Sequence, residues 1–190
     1  MWRKLLFLVM GGVFALFVYN SYIKEPDDFK VPDFDEKVET DNMRYNIGDR
    51  YKIDARNMTE KSKDDVTVFE GAKAFFSGVR LKGKTATVDK YKNMILTGGI
   101  LGKSKFGVDF NTEAIKYDDS TKRFSSTSKF RAKQAVNKLS LEGDNFEAPE
   151  NFDVITLNGH VKIVYDTITI TCDKGVYDRP NKTIKLFDYI

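Results

Sequence analysis

Reactive chemistry is scarce in this chain of 190 residues. There is one cysteine, Cys172. No intrachain disulfide can form, which excludes a small secreted domain held together by cystines. Cys172 lies within an apolar alternation and reads as a small core hydrophobe. There is one histidine, His160, which on a strand shares the polar face with Thr156, Asn158 and Lys162. A histidine-based triad needs a nucleophile and an orienting acid around it, and a zinc site usually needs several His or Cys ligands. No Walker loop, Rossmann fingerprint or HExxH is present. The paired carboxylates Asp64/Asp65 and Asp118/Asp119 sit beside turn-like sequence and read as turn residues. An envelope hydrolase is disfavoured; a protein with no enzymatic activity, no metal and no cofactor is expected. A long amphipathic helix is also missing after residue 24.

What remains is a foldable composition with unevenly placed charge. Hydrophobic residues make up 41% and charged residues 31%, enough to build a core. Residues 24–41, KEPDDFKVPDFDEKVETD, hold three Lys against eight Asp or Glu, a net of −5. Residues 42–190 hold 26 Lys plus Arg against 20 Asp plus Glu, a net of +6. The acidic stretch, with Pro26 and Pro32 and little hydrophobicity, reads as an extended linker.

Before it, Leu5 to Tyr19 is a 15-residue run without charge, extending to Ile23 as 19 residues. A helix of that length spans roughly 28 Å, close to a bilayer core. No site with small residues at −3 and −1 follows it well, so an uncleaved transmembrane anchor is favoured over a signal peptide. Arg3 and Lys4 precede the run and acids follow it, which puts the N-terminus in the cytoplasm and the bulk across the membrane. The expected organisation is 1–23 anchor, 24–41 linker and 42–190 folded domain.

In that domain the hydrophobic period is two. Residues 154–178 read VITLNGHVKIVYDTITITCDKGVYD. Ile155, Leu157, Gly159, Val161, Ile163 and Tyr165 fall on one face, and Ile168, Ile170 and Cys172 continue it if Asp166-Thr167 is a two-residue turn. Strict alternation marks strands with one buried and one wet face. Tyr51, Ile53 and Ala55 alternate in the same way, as do Phe106, Val108, Phe110, Thr112 and Ala114, and Ile184 and Leu186. Lys129 to Leu139 reads as a strand and a turn.

A weak repeat underlies these strands. TATVDKYKNMILTGG, EAIKYDDSTKRFSS and KGVYDRPNKTIKLF share one plan: a strand ending in Asp89, Asp118 or Asp178, a polar turn, then a second strand. The aspartates are 29 and then 60 residues apart, which implies a unit near 30 with one degenerate copy. Each Asp is suited to accept backbone N–H bonds across its turn. Repeated hairpins suggest one continuous sheet or an open jelly roll.

The anchor, the Leu157-Asn158-Gly159-His160-Val161 element, the Ala114 to Asp118 element and its relative Lys174 to Asp178 together resemble the LptC family. Its members are inner-membrane-anchored periplasmic components of lipopolysaccharide export. The resemblance implies an all-β fold, an open twisted jelly roll of antiparallel strands after one transmembrane helix. It implies a carrier that receives lipopolysaccharide from an inner-membrane ABC transporter and passes it to a soluble periplasmic bridge protein of the same fold. No nucleic-acid partner is expected. The inward stripe then supplies the lipid-binding candidates Phe106, Val108, Phe110, Ile155, Leu157, Val161, Ile163, Ile168 and Ile170. The C-terminal run TIKLFDYI supplies a docking edge of Ile184, Leu186, Phe187 and Tyr189. The competing readings are that every inward residue is simply core, or that the protein is a membrane-tethered assembly scaffold working through strand edges alone.

Overall fold

The computed structural model describes residues 43–61 and 65–187. The expected anchor and linker, Asp64 and Tyr189 lie outside them. Among the described residues no helix is long and apolar enough to cross a membrane. The chain forms β1 (Met43–Ile47), β2 (Tyr51–Ala55), β3 (Asn57–Lys61), β4 (Val66–Glu70), β5 (Lys73–Phe75), β6 (Val79–Lys82), β7 (Thr85–Asp89) and β8 (Met94–Ser104). It continues with β9 (Val108–Asp118), β10 (Arg123–Ser126), β11 (Phe130–Gln134), β12 (Leu139–Gly143), β13 (Asn145–Pro149), β14 (Val154–Tyr165), β15 (Ile168–Asp178) and β16 (Thr183–Phe187). A single 3-10 turn, Ala135–Asn137, follows β11. All pairings are antiparallel, as expected from the alternation.

The strands belong to a set of long arms, each crossing from one face of the roll to the other. Sheet I runs β1-β2-β5-β6, then the second half of β8, the first half of β9, β11, β12, the second half of β14 and the first half of β15. Sheet II runs β3-β4-β7, then the other halves of β8 and β9, β10, β13, and the other halves of β14 and β15, ending at β16. The four long strands hold the two sheets together and bend between them.

The bend has a local cause. In β8 the pair Gly98-Gly99 opposes Glu113 alone, and in β14 the pair Gly159-His160 opposes Asp173 alone. Each pair has positive φ at both positions: 91° and 75° in the first, 73° and 44° in the second. An extra residue on one strand bends it and raises its twist. It also shifts the face count. β9 is inward at Val108, Phe110 and Thr112, and then at Ile115 and Tyr117; β15 changes phase in the same way between Cys172 and Gly175. The expectation that Ala114 continues the inward stripe is therefore corrected: Ile115 does.

The repeat is sharper in the backbone than in the sequence. Lys92, Lys122, Phe152 and Lys182, each 30 residues from the next, adopt left-handed φ of 67°, 55°, 54° and 52° in the turns that close the arms. In three of these turns an aspartate acts as expected. Asp89 Oδ1 accepts from the N–H groups of Tyr91 and Asn93, Asp118 Oδ1 from Ser120 and Thr121, and Asp178 Oδ1 from Asn181. The degenerate copy is Pro149 to Phe152. It lacks the aspartate and instead buries the Phe152 ring, stacked on Phe110 at 4.8 Å.

Candidate functional site

The interior between the sheets is one apolar column. A single inward row in sheet I passes from strand to strand through Tyr45, Ile53, Ala74, Leu81, Gly102 and Phe110 and on through Ala132, Leu141, Ile163 and Ile170. Rings fill the middle. Phe76 packs on Tyr117 at 4.6 Å and on Phe124 at 4.8 Å, Phe124 on Phe152 at 5.3 Å, and Phe130 on Phe146 at 4.2 Å. Offset and tilted ring pairs of this kind add to area burial.

The lipid-binding candidates separate into three groups. Val108, Phe110, Ile155, Leu157, Val161 and Ile163 are all inward and at most 2% exposed, packed against one another and the ring column. Ile170 is half-buried and Ile168 is 52% exposed, so the stripe emerges into solvent at this end. Phe106 is a correction. It lies outside β9, in the tip between β8 and β9, because Lys105-Phe106 form the turn that Gly107 (φ 73°) closes with its N–H donating to the Ser104 carbonyl at 3.1 Å. Its ring lies under the Arg179 guanidinium at 3.3 Å.

Nothing in the residue pattern foretells how the mouth of the roll is bridged. Turns at the free end of sheet I meet turns at the free end of sheet II. Tyr51 Oη donates to the Lys92 carbonyl at 2.9 Å, and Arg50 pairs with Asp119 at 3.8 Å. Ser77 Oγ donates to Glu150 Oε1 at 3.2 Å, and Tyr117 Oη donates to Glu150 Oε2 at 3.0 Å. Beside Ser77 the backbones nearly touch, since a Cβ on Gly78 would lie 2.6 Å from Asn151 Cα. Farther along, Arg179 spans Asp153 and the Phe106 ring, Gln134 Nε2 donates to the Phe106 carbonyl at 3.1 Å, and Tyr177 Oη donates to Gln134 Oε1 at 3.0 Å. Burial drives the phenols of Tyr51 and Tyr117 well above their ordinary range, so both remain neutral donors.

Three of these contacts, Arg50 with Asp119, Ser77 with Glu150 and Phe106 with Arg179, join positions about 70 residues apart. The last two turns of sheet I, at 135–138 and 166–167, have no such sheet II turn across from them among the described residues. Here the molecule exposes apolar surface: Val136 is 90% exposed, and Tyr165 and Ile168 are each 52% exposed. Lys138 Nζ joins the two turns through Asp166 at 2.9 Å.

Of the docking-edge candidates, Ile184, Leu186 and Phe187 lie on β16. Within the described residues β16 pairs with β15 only, and the first half of β15 pairs with β14 only. Ile184 and Leu186 face inward and pack on the core, whereas Phe187 faces out, 43% exposed, with Lys174 Nζ 5.6 Å from its ring centre.

His160 and Cys172 are placed as expected. The His160 side chain is exposed and bonded through Nδ1 to Asp144 at 2.6 Å. Cys172 is buried, and burial raises its thiol pKa, which leaves it a poor nucleophile. Among the described residues no group of His, Cys, Asp and Glu is arranged to hold a metal.

No protein-family model and no curated protein matches this chain. A solved structure with some similarity is that of LptH, the LptA homologous periplasmic component of the conserved lipopolysaccharide transport device from Pseudomonas aeruginosa. It aligns with a TM-score of 0.32 and 13% identity, covering 73% of this chain and 82% of that one. Similarity at that level decides neither ligand nor partner.

Proposed function

We propose that this protein is a non-enzymatic carrier for lipopolysaccharide. In this reading it is tethered to the inner membrane with its bulk in the periplasm, receives the lipid from an ABC transporter and passes it to a soluble bridge protein of the same fold. The observation that carries the reading is the continuous inward apolar row that crosses ten strands to the half-buried Ile170, beside which Tyr165 and Ile168, paired on the same face, are each 52% exposed. A globular core has no need to surface at one end; a conduit does. Resemblance of the sequence elements to the LptC family supports the same reading. Acyl chains would enter by parting the mouth turns and displacing ring–ring contacts. Each buried CH2 returns about 0.8 kcal/mol, so several methylenes offset a few lost contacts without making release slow.

The filled ring column favours one other reading, a tethered scaffold that works through its edges and never admits lipid. Photo-crosslinking side chains separate the two. Placed at Phe110, Leu157, Ile163 or Ile168, they should label lipopolysaccharide in cells, and at Thr156, Asn158 or Lys162 they should not. Equal labelling of both sets, or none at the inward set, removes the carrier reading.

The free edge supplies the partner test. Among the described residues β16 and the first half of β15 have no second neighbour, and their free N–H and C=O groups are a template for another strand. Deleting Thr183–Phe187 should weaken docking of a same-fold partner at least tenfold while association with the transporter persists. Undiminished docking by a variant with a parental circular dichroism spectrum would show that the edge is not used.

A further inference from the structure

The outer face of sheet I carries a charge that nothing in the carrier reading requires. One outward row aligns Lys52, Arg80, Lys103 and Lys133, with Asp109 as its one carboxylate. The next aligns Arg44, Lys73, Lys82, Arg131 and Lys162, with Asp54 and Glu142. The excess is six cations, nine against three. Arg80 sits directly opposite Lys103, and Lys73 directly opposite Lys82. Like charges so placed oppose sheet formation. The outward strand positions of sheet II hold five cations and five carboxylates. Sheet I therefore accounts for the basic balance of the folded domain.

We infer that this face is the docking surface for the chain's own acidic segment, residues 24–41. That segment carries eight carboxylates against three lysines, close to the inverse of the face. It joins the fold at β1, the edge strand of sheet I, where Arg44 opens the basic row. Reach is ample: 18 residues extend to at most about 60 Å, and the nine strand spacings from β1 to β15 span about 43 Å. Side-chain charges are placed for many weak, interchangeable contacts, so the association is electrostatic and salt-sensitive rather than a fixed register.

Zero-length carbodiimide coupling of carboxylates to amines, read by mass spectrometry on the full chain in neutral detergent, tests this. Bonds from residues 25–41 should fall on Lys73, Lys82, Lys103 and Lys162 at least tenfold more often than on Lys116, Lys174 and Lys185 of sheet II. Raising salt from 50 to 500 mM should reduce them severalfold. An even distribution over both faces, or a yield indifferent to salt, overturns the assignment. So does loss of the bonds when phosphatidylglycerol is added to the micelles, since the face would then prefer a lipid surface to the segment.

Discussion

The hairpins β8–β9 and β14–β15 are two copies of one object, about 60 residues apart, and they end differently. Both bend at a two-residue bulge with left-handed φ, and both finish in a Tyr-Asp pair, Tyr117-Asp118 and Tyr177-Asp178. At corresponding places near the tip the first has Ser104 and Val108, 3% and 2% exposed, and the second has Tyr165 and Ile168, 52% and 52% exposed. The difference lies in the surroundings. The first half of β9 is flanked by β11 and its tip is covered by Arg179. The first half of β15 has no second neighbour among the described residues. A repeat unit of this kind cannot bury its whole apolar face alone. The second copy therefore leaves exposed the apolar surface that the first copy buries.

The largest expected effect tests whether the two copies fill the same space differently. Gly102 faces Phe110 across the first hairpin, and Ile163 faces Ile170 across the second. A Cβ on Gly102 would lie 2.1 Å from the Phe110 ring, which is itself held by Phe152. Ile163→Ala should cost about 2–5 kcal/mol through the cavity it leaves. Gly102→Ala should cost about 1–3 kcal/mol through overpacking. Both are measured by denaturant unfolding. If Ile163→Ala is nearly neutral, this end of the column is not packed as core in the free protein, and the comparison between copies must be redrawn.

A smaller effect is expected at the bulges. Gly99 has open space around a built Cβ but φ of 75°. Gly99→Ala should therefore lose about 1 kcal/mol from backbone strain alone, with no steric part. At Gly159 a Cβ would also meet Asp144 Oδ2 at 2.6 Å, so Gly159→Ala should lose more. Equal losses would mean that Asp144 moves aside freely and contributes nothing to the second bend.

Much of this was legible before any coordinates. The strands at Tyr51–Ala55, Val154–Tyr165, Ile168–Asp178 and Thr183–Phe187 and the Asp166-Thr167 turn follow from alternation and turn chemistry. The bulges were not legible, because a period of two is blind to a pair of residues that opposes one. Ala114 was misplaced for that reason. Phe106 was misplaced because its apolar side chain fits the alternation while Gly107 ends it. The degenerate repeat at Pro149–Phe152 was hidden because the backbone keeps the left-handed turn after the aspartate that marks it elsewhere has gone. The mouth contacts had no signature in the sequence, since each joins residues 26 to 73 positions apart whose individual types are ordinary for turns.

The smallest effect concerns the one bulge residue that is not glycine. His160 adopts φ of 44°, a conformation that β-unbranched polar residues tolerate better than most, and its ring is bonded to Asp144. Asp144 is in turn tied to the bulge through its N–H, which donates to the Gly159 carbonyl at 2.9 Å. The hydrogen bond and charge of Asp144 hold the imidazole pKa above its ordinary value of 6.5, with Asp173 adding in the same direction. A raised folded-state pKa means that protonation stabilises the fold. That contribution is complete below pH 6.5 and disappears as pH rises through the folded value. The side chain is almost fully exposed, and exposed pairs contribute little, so the unfolding midpoint should barely move with pH. The imidazole resonances carry the signal. Titrated by NMR, His160 in the parent should give a pKa above that in Asp144→Asn, while Asp173→Asn should lower it less. If Asp144→Asn leaves the value unchanged, the second bulge is held by its backbone alone, and the two copies are more alike than their sequences suggest.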